Sequence, residues 1–237
     1  QIQQIFSVIS HPPVDFAPAV AEKNIWTYGN LYITLWFKEQ KSILMAKNTK
    51  KIIQSLAYLA SKMQSQALDE MKAYKLLWLA DRCHLRRNGR TITGDRYYAM
   101  PRGVVPTDAK HLLDGETTVL ETPDGYMSQW IAKVEPHKFK AVKSPDLTEF
   151  SESDIEVLDR VIDCYGNYSM YDLSELSHKY PEWKKYKDML LDKNEKNSFP
   201  VNMDLMFENA DEDMSDLFNQ SPEVLETTKE IYHEIYS

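Results

Sequence analysis

The chain has 237 residues, enough for one domain of ordinary size with extensions or for two small ones. Its hydrophobic fraction of 43% and aromatic fraction of 11% allow a sizeable core, and its formal net charge is −8. Two cysteines, Cys83 and Cys164, cannot form a disulfide framework or a four-ligand zinc site by themselves and are expected to be reduced and buried. No run of about 18 apolar residues exists, so no membrane span is expected. The start lacks the basic-then-apolar order of a signal peptide, and a cytoplasmic protein is expected.

The chain begins with Gln1, and its first methionine is Met45. Residues 1–44 carry the alternation Leu31, Ile33, Leu35, Phe37, which has the two-residue period of a strand. They read as an N-terminal extension, either a genuine hairpin or an appendage to a chain that starts at Met45. From Asn48 the pattern is helical, with Ile52, Leu56, Leu59 and Met63 on one stripe. Asp69 is a good N-cap for a second helix, and Gly89 can take the left-handed conformation that ends it. Its expected core is Met71, Tyr74, Leu77, Trp78 and Leu85. Thr107 to Gly115 reads as a short capped helix.

Residues 117–122 and 126–134 read as two strands about a turn at Pro123-Asp-Gly125, followed by a loop or short strand from Phe139 to Leu147. Ser151-x-x-Asp154 resembles a capping box opening a helix with Ile155, Leu158, Val161 and Ile162 inward, and Gly166 ends it. Ser169 caps a further helix to Lys179, and Pro181 restarts the chain as one helix to about Leu191. Residues 194–200 read as a linker, Met203 to Phe218 as an acidic stretch dotted with apolar residues, and Ser221-Pro-Glu as the start of a last helix reaching Tyr236.

Charge is unevenly spread. Residues 45–90 hold ten Lys/Arg against three Asp/Glu, whereas residues 195–237 hold two Lys against eleven Asp/Glu. Such asymmetry suggests an interaction tail, or a tail folded over the protein's own basic helix.

The densest segment is 75–107. On a helix Leu77, Asp81 and His84 share one face. A carboxylate and an imidazole there need partners, and they read either as an acid–base pair or as a structural pair anchoring the loop that follows. With no nucleophile or metal set nearby the structural reading is preferred. Gly89, Gly94 and Gly103 fall among Arg86, Arg87, Arg90, Arg96 and Arg102. P-loop and dinucleotide spacings are absent, so the glycines read as turns and close approaches. The six histidines lack metal-ligand spacing, and no cofactor is expected.

This segment resembles the Panacea family, the SocA-like antitoxin domain. The matching residues are Lys75-Leu-Leu-Trp-Leu-Ala-Asp81, His84, Gly89, Ile92, Ala99, Gly103, Val105 and Pro106. A second stretch, Leu176-Ser-His178-Lys-Tyr-Pro-Glu-Trp183, follows in the right order. Arg102 and Val104 depart from the family pattern, which has Tyr and Pro there. The resemblance implies a mainly helical domain with a small β-hairpin, that is, α+β. It covers about residues 45–192, flanked by the extension 1–44 and an acidic extension 193–237 with a terminal helix. It also implies an antitoxin that neutralises a cognate protein toxin by direct contact, the toxin being encoded by a neighbouring gene, with a protease as a further partner if the chain acts as a proteolytic adaptor.

On this reading Asp81, His84, Gly89, Gly94, Gly103, Pro106, His178 and Trp183 are structural. Asp81 and His84 form an internal link that holds the loop, and Arg87, Arg90, Arg96, Tyr97, Tyr98 and Arg102 form the contact surface, Arg and Tyr being common binding hot spots. Two rivals remain. A nucleic-acid-binding regulator would use the basic 82–102 surface, though the acidic chain disfavours it. An enzyme would use Asp81 and His84 in an open cleft. Neither a membrane nor a metal is expected as a partner.

Overall fold

The computed structural model describes residues 48–63, 67–116, 125–192, 196–210 and 215–236. All of them fall in one unit, Leu44–Ser237. The expected strand at Leu31–Phe37, the boundary near residue 44 and the strand at 117–122 lie outside the described residues.

The fold is organised around one helix that is apolar enough to be enclosed on nearly every side. Helix α1 covers 48–62 and buries Ile52, Ile53, Leu56 and Leu59. A two-residue strand β1 (Leu68–Asp69) leads into α2 (Glu70–Asn88). Asp69 caps α2 by accepting from Lys72 N at 3.2 Å. Gly89 closes it at φ 70°, its N–H returning to Leu85 O. From Ala73 to Arg86 every residue of α2 is buried. An ordinary amphipathic surface helix has a polar face, so Lys75, Arg82 and Arg86 are taken into the interior and must be compensated there.

Strands β2 (Tyr97–Met100) and β3 (Gly103–Pro106) form an antiparallel hairpin on α2, with Tyr97 opposite Pro106 and Met100 opposite Gly103. Helix α3 (Thr107–Asp114) follows directly. Gly125 has the expected positive φ, but the second expected strand starts later. Residues Met127–Gln129 form a 3-10 turn, and β4 (Ile131–Glu135) pairs with β5 (Lys138–Ala141). The turn of this hairpin is therefore at Pro136-His137, set by Pro136, which has no N–H to continue the ladder. The loop-or-strand segment from Phe139 begins inside β5, where Phe139 is buried opposite Leu68 of β1.

Helix α4 (Glu152–Tyr165) has the expected capping box, with Ser151 and Asp154 reciprocally bonded. Leu158 and Val161 are buried, while Ile155 and Ile162 are partly covered. Helix α5 (Met170–Ser177) carries a second box, Ser169 with Asp172. The single helix expected from Pro181 is two, α6 (Pro181–Lys184) and α7 (Lys187–Leu191). The break is at Tyr186, whose backbone leaves the helical region (φ −105°, ψ 1°) and whose ring stacks on Phe199 at 5.7 Å.

The expected linker contains a third strand of the second sheet, β6 (Phe199–Pro200), paired with β2. The order of that sheet is β3-β2-β6, and that of the other is β1-β5-β4. Beyond β6, 3-10 turns at Met203–Phe207 and Asp216–Phe218 bury Met206, Phe207, Leu217 and Phe218. Helix α8 (Pro222–Tyr236) then packs on α2. The C-terminal segment thus docks on the protein's own central helix. Among the described residues the fold is mainly helical α+β, with two small antiparallel sheets where one hairpin was expected. Among the described residues no helix is long and apolar enough to cross a membrane. Cys83 is buried and free, whereas Cys164, expected to be buried, is exposed and free because it lies on the solvent side of α4.

Candidate protein-binding platform

The turn after α2 is held from below by buried polar groups, each with its own partners. Asp81 is fully buried. Its Oδ1 accepts from Ile92 N at 2.8 Å and Thr93 N at 3.0 Å, and its Oδ2 accepts from the Tyr97 hydroxyl at 2.6 Å and from Thr93 Oγ1. Burial pushes this carboxyl upward in pKa, against the pull of those four donors.

His84 does not bond Asp81. Its Nδ1 lies 2.8 Å from Arg90 O, and since a carbonyl only accepts, Nδ1 is the donor. Its Nε2 faces Ser153 Oγ and Asp154 Oδ1, each at 3.1 Å. The expected Asp81–His84 link is corrected accordingly: sharing a helix face does not make them partners, because each side chain reaches a different part of the loop. Asp81 holds residues 92–97, and His84 holds residue 90 and ties it to α4.

Asp154 is the second hub. It receives Lys51 Nζ at 2.7 Å, Arg90 Nη2 at 2.9 Å and Ser151 N at 2.9 Å, joining α1, α4 and the loop. Burial opposes ionisation here, but the bonds from His84, Lys51 and Ser151 outweigh it and hold the carboxyl well below the usual range. Asp95 is a third anchor. The N-cap position of α3 is Pro106, which has no side-chain cap bond, and Asp95 supplies the acceptor from outside the helix, taking Asp108 N and Ala109 N at 2.8 Å each. Burial, then the charge of Asp108, pushes Asp95 up to about 8.

The hairpin that follows is set by close packing. Gly103 has φ 101°, and a Cβ there would lie 1.8 Å from Ser177 Oγ and 2.7 Å from Lys75 Nζ. Lys75 Nζ, fully buried, donates to Val104 O at 2.7 Å, and burial lowers its pKa to about 7. Gly94 packs against the side chain of Asn48, and Pro106 is buried at the end of β3. Trp183 donates to Met100 O at 2.9 Å and stacks on His178 with centroids 3.9 Å apart.

Two arginines expected to belong to a basic surface are interior. Arg82 Nε donates to Glu182 Oε1 at 2.9 Å, an oxygen that also accepts from Trp78 Nε1 at 3.0 Å. The rings of Tyr180 and Phe218 cover the Arg82 guanidinium. Arg86 donates to the carbonyls of Met206, Phe207, Glu208 and Phe218 and to the side chains of Asn209 and Gln220. The acidic segment is thus gripped through its backbone oxygens.

The six expected contact residues divide. Tyr97 is buried, because β2 alternates inward at Tyr97 and Ala99, so its placement on the contact surface is corrected. Arg90 is tied to Ser151 and Asp154 and serves the scaffold. Arg87 is partly exposed beside Glu156, Arg96 is 59% exposed beside Asp108, Tyr98 is half-buried, and Arg102 is exposed at the hairpin tip. Sequence reasoning missed Asp95, Asp154 as a hub, Glu182 and the buried arginines. The one local signal for the arginines was charge at positions of α2 where the apolar pattern runs all round. Among the described residues no group of three His, Cys, Asp or Glu could hold a metal ion.

Fold and site together define a mainly helical α+β domain that braces a surface turn with buried acids. Residues 74–184 match the family model described as the antitoxin SocA-like, Panacea domain. The match includes Asp81, His84, Asp95, Gly103, Asp154 and Glu182, and it ends before the C-terminal segment that Arg86 holds. No curated protein and no solved structure gives a significant match.

Proposed function

We propose that the chain is the antitoxin of a toxin–antitoxin pair, acting in the cytoplasm to neutralise a cognate protein toxin, encoded beside it, by direct contact through the turn and hairpin at 87–106. The observation that carries this is the division of labour in that segment. Its backbone is fixed by Asp81, His84 and Asp95, while Arg87, Arg96, Tyr98 and Arg102 remain accessible. A rigid surface loses little conformational freedom on binding, which favours affinity.

The rival readings lose support from the same geometry. Arg82 and Arg86 are enclosed, and Arg87, Arg90 and Arg96 each face a carboxylate, so little free positive charge is left for phosphates. Asp81 and His84 sit at 0% exposure with partners of their own, which counts against acid–base chemistry on a substrate.

Co-expression with the protein encoded next to it tests the proposal. The expected result is rescue from that protein's toxicity and a complex that co-purifies, with rescue lost in an Arg96→Ala/Tyr98→Ala/Arg102→Ala variant that melts like the parent. Rescue unaffected by the triple change would remove the platform from the interface. A fall in toxin level on rescue would mark the chain as a proteolytic adaptor, whereas a steady level would mark it as a stoichiometric inhibitor.

A further inference from the structure

Helix α8 lies outside the family match and has one side inside the protein. Thr228 is buried and donates to Arg86 O at 3.1 Å, Tyr232 packs on Phe207, and Lys229 and His233 face Asp204. Beside that contact runs a stripe of apolar side chains left in solvent. Val224, Ile231 and Ile235 are 42%, 39% and 56% exposed. Steps of seven and four return to one side of a helix, so the three form a single line along its length. Large apolar side chains aligned and exposed on one helix face mark a contact surface.

One edge of the stripe meets the end of α2, where Ile231 lies over Gly89 so closely that a Cβ there would be 2.7 Å away. The arginines on that edge are already matched, Arg87 by Glu156 and Arg90 by Asp154. The other edge is a row of glutamates, Glu223, Glu226, Glu230 and Glu234, all exposed at spacings of three and four. Among the described residues no ion pair is formed by Glu226, Glu230 or Glu234. Helix α8's own lysine, Lys229, points to Asp204, so the edge is negative. At the C-terminal end of α8, Tyr236, one turn beyond Tyr232 and in contact with its ring, lines a cleft of about 300 Å³. Tyr98, Arg96, Val201, Met203 and Tyr232 line the cleft. That volume suits one large side chain, and Arg96 and Tyr98 make the cleft continuous with the platform.

We propose that α8 and this cleft dock an amphipathic helix of the partner protein that is apolar on one side and rich in lysine and arginine along its flank, with one bulky side chain seated against Tyr236. The inference rests on the antitoxin reading for the partner's identity. The charge selects this occupant over others. Antiparallel pairing of two α8 helices about a two-fold axis sets one glutamate row against the other, and the surface of an anionic membrane repels the same row. A basic helix laid in an apolar groove satisfies both the stripe and its edge.

The test uses the full chain and two synthetic amphipathic peptides of about 18 residues, five helical turns, one patterned with leucine and lysine and the other with leucine and glutamate. Binding is followed by fluorescence anisotropy. The lysine peptide is expected to bind, and Ile235→Asp, at a solvent position, is expected to weaken it at least tenfold with the melting temperature unchanged. A Glu226→Lys/Glu230→Lys/Glu234→Lys variant is expected to exchange the preference for the glutamate peptide, which keeps the test open if Ile235→Asp misfolds. Equal binding by parent and Ile235→Asp, absence of binding, or self-association on sedimentation that Ile235→Asp abolishes would each overturn the proposal. In co-expression, full neutralisation by Ile235→Asp overturns this surface and leaves the antitoxin reading standing. Peptide binding by a chain that neutralises no neighbouring product does the reverse.

Discussion

The Tyr97 hydroxyl donates to Asp81 Oδ2 at 2.6 Å, joining the first inward side chain of β2 to the middle of the central helix. With Ile92 N and Thr93 N on the other oxygen, one carboxylate fixes both ends of a six-residue turn. Asp81→Ala strands those buried donors, at about 1–3 kcal/mol each, and is expected to destabilise the chain by roughly 3 kcal/mol or more. Tyr97→Phe removes one bond of four and is expected to cost about 1 kcal/mol. Urea unfolding measures both, and similar costs for the two would mean that the amide bonds of Asp81 contribute little.

At Gly103 a methyl group has nowhere to go, since Ser177 Oγ occupies the place. Gly103→Ala is expected to lower stability by about 2–5 kcal/mol, combining left-handed backbone strain with overpacking. Gly115→Ala is the control: its backbone is also left-handed (φ 79°), but nothing lies within 4 Å. It is expected to cost about 1 kcal/mol. A thermal melt of the two variants separates steric clash from backbone preference.

Two buried groups titrate in opposite senses. Asp95 holds its proton more tightly folded (about 8) than at its ordinary value of 3.8, so stability falls as pH climbs between those values. Lys75 holds its proton less tightly folded (about 7) than at its ordinary 10.5, so stability rises as pH climbs across that window. Denaturation midpoints are therefore expected to pass through a minimum between about pH 7 and 8. Asp95→Asn should flatten the acid limb and Lys75→Met the alkaline limb; midpoints that only rise with pH would contradict the Asp95 assignment, and midpoints that only fall would contradict that of Lys75.

Arg86 is the grip on the C-terminal segment. Arg86→Met leaves the carbonyls of Met206, Phe207, Glu208 and Phe218 short of a donor. It is expected to cost on the order of 3–5 kcal/mol, the range for breaking a buried charged contact. Proteolysis should then cut first between residues 203 and 221, and cutting unchanged from the parent would show that α8 holds the segment unaided.

The parts of the fold that depend on neighbours in sequence were legible before the structure. Asp69, Ser151 and Ser169 each cap the helix expected of them, and Gly89 ends α2, because capping is decided within four residues. What escaped depends on residues far along the chain. The sequence reading assigns Arg82 and Arg86 to a basic surface, yet Glu182 and the carbonyls of 206–218, about 100 or more positions away, let them be buried. The same limit explains Asp81 and His84. Spacing showed that they share a face, but only the fold shows that one reaches Thr93 and Tyr97 and the other Arg90 and Asp154. The break at Tyr186 escaped because the contact that accompanies it, with Phe199, comes from the next segment.

Amide hydrogen exchange of the free protein tests most directly whether the turn is built before any partner arrives. The Ile92 and Thr93 amides donate to Asp81, and those of Asp108 and Ala109 donate to Asp95. They are expected to exchange only through openings nearly as costly as global unfolding. Exchange of these four amides at the rate of an unstructured peptide would contradict a preformed platform.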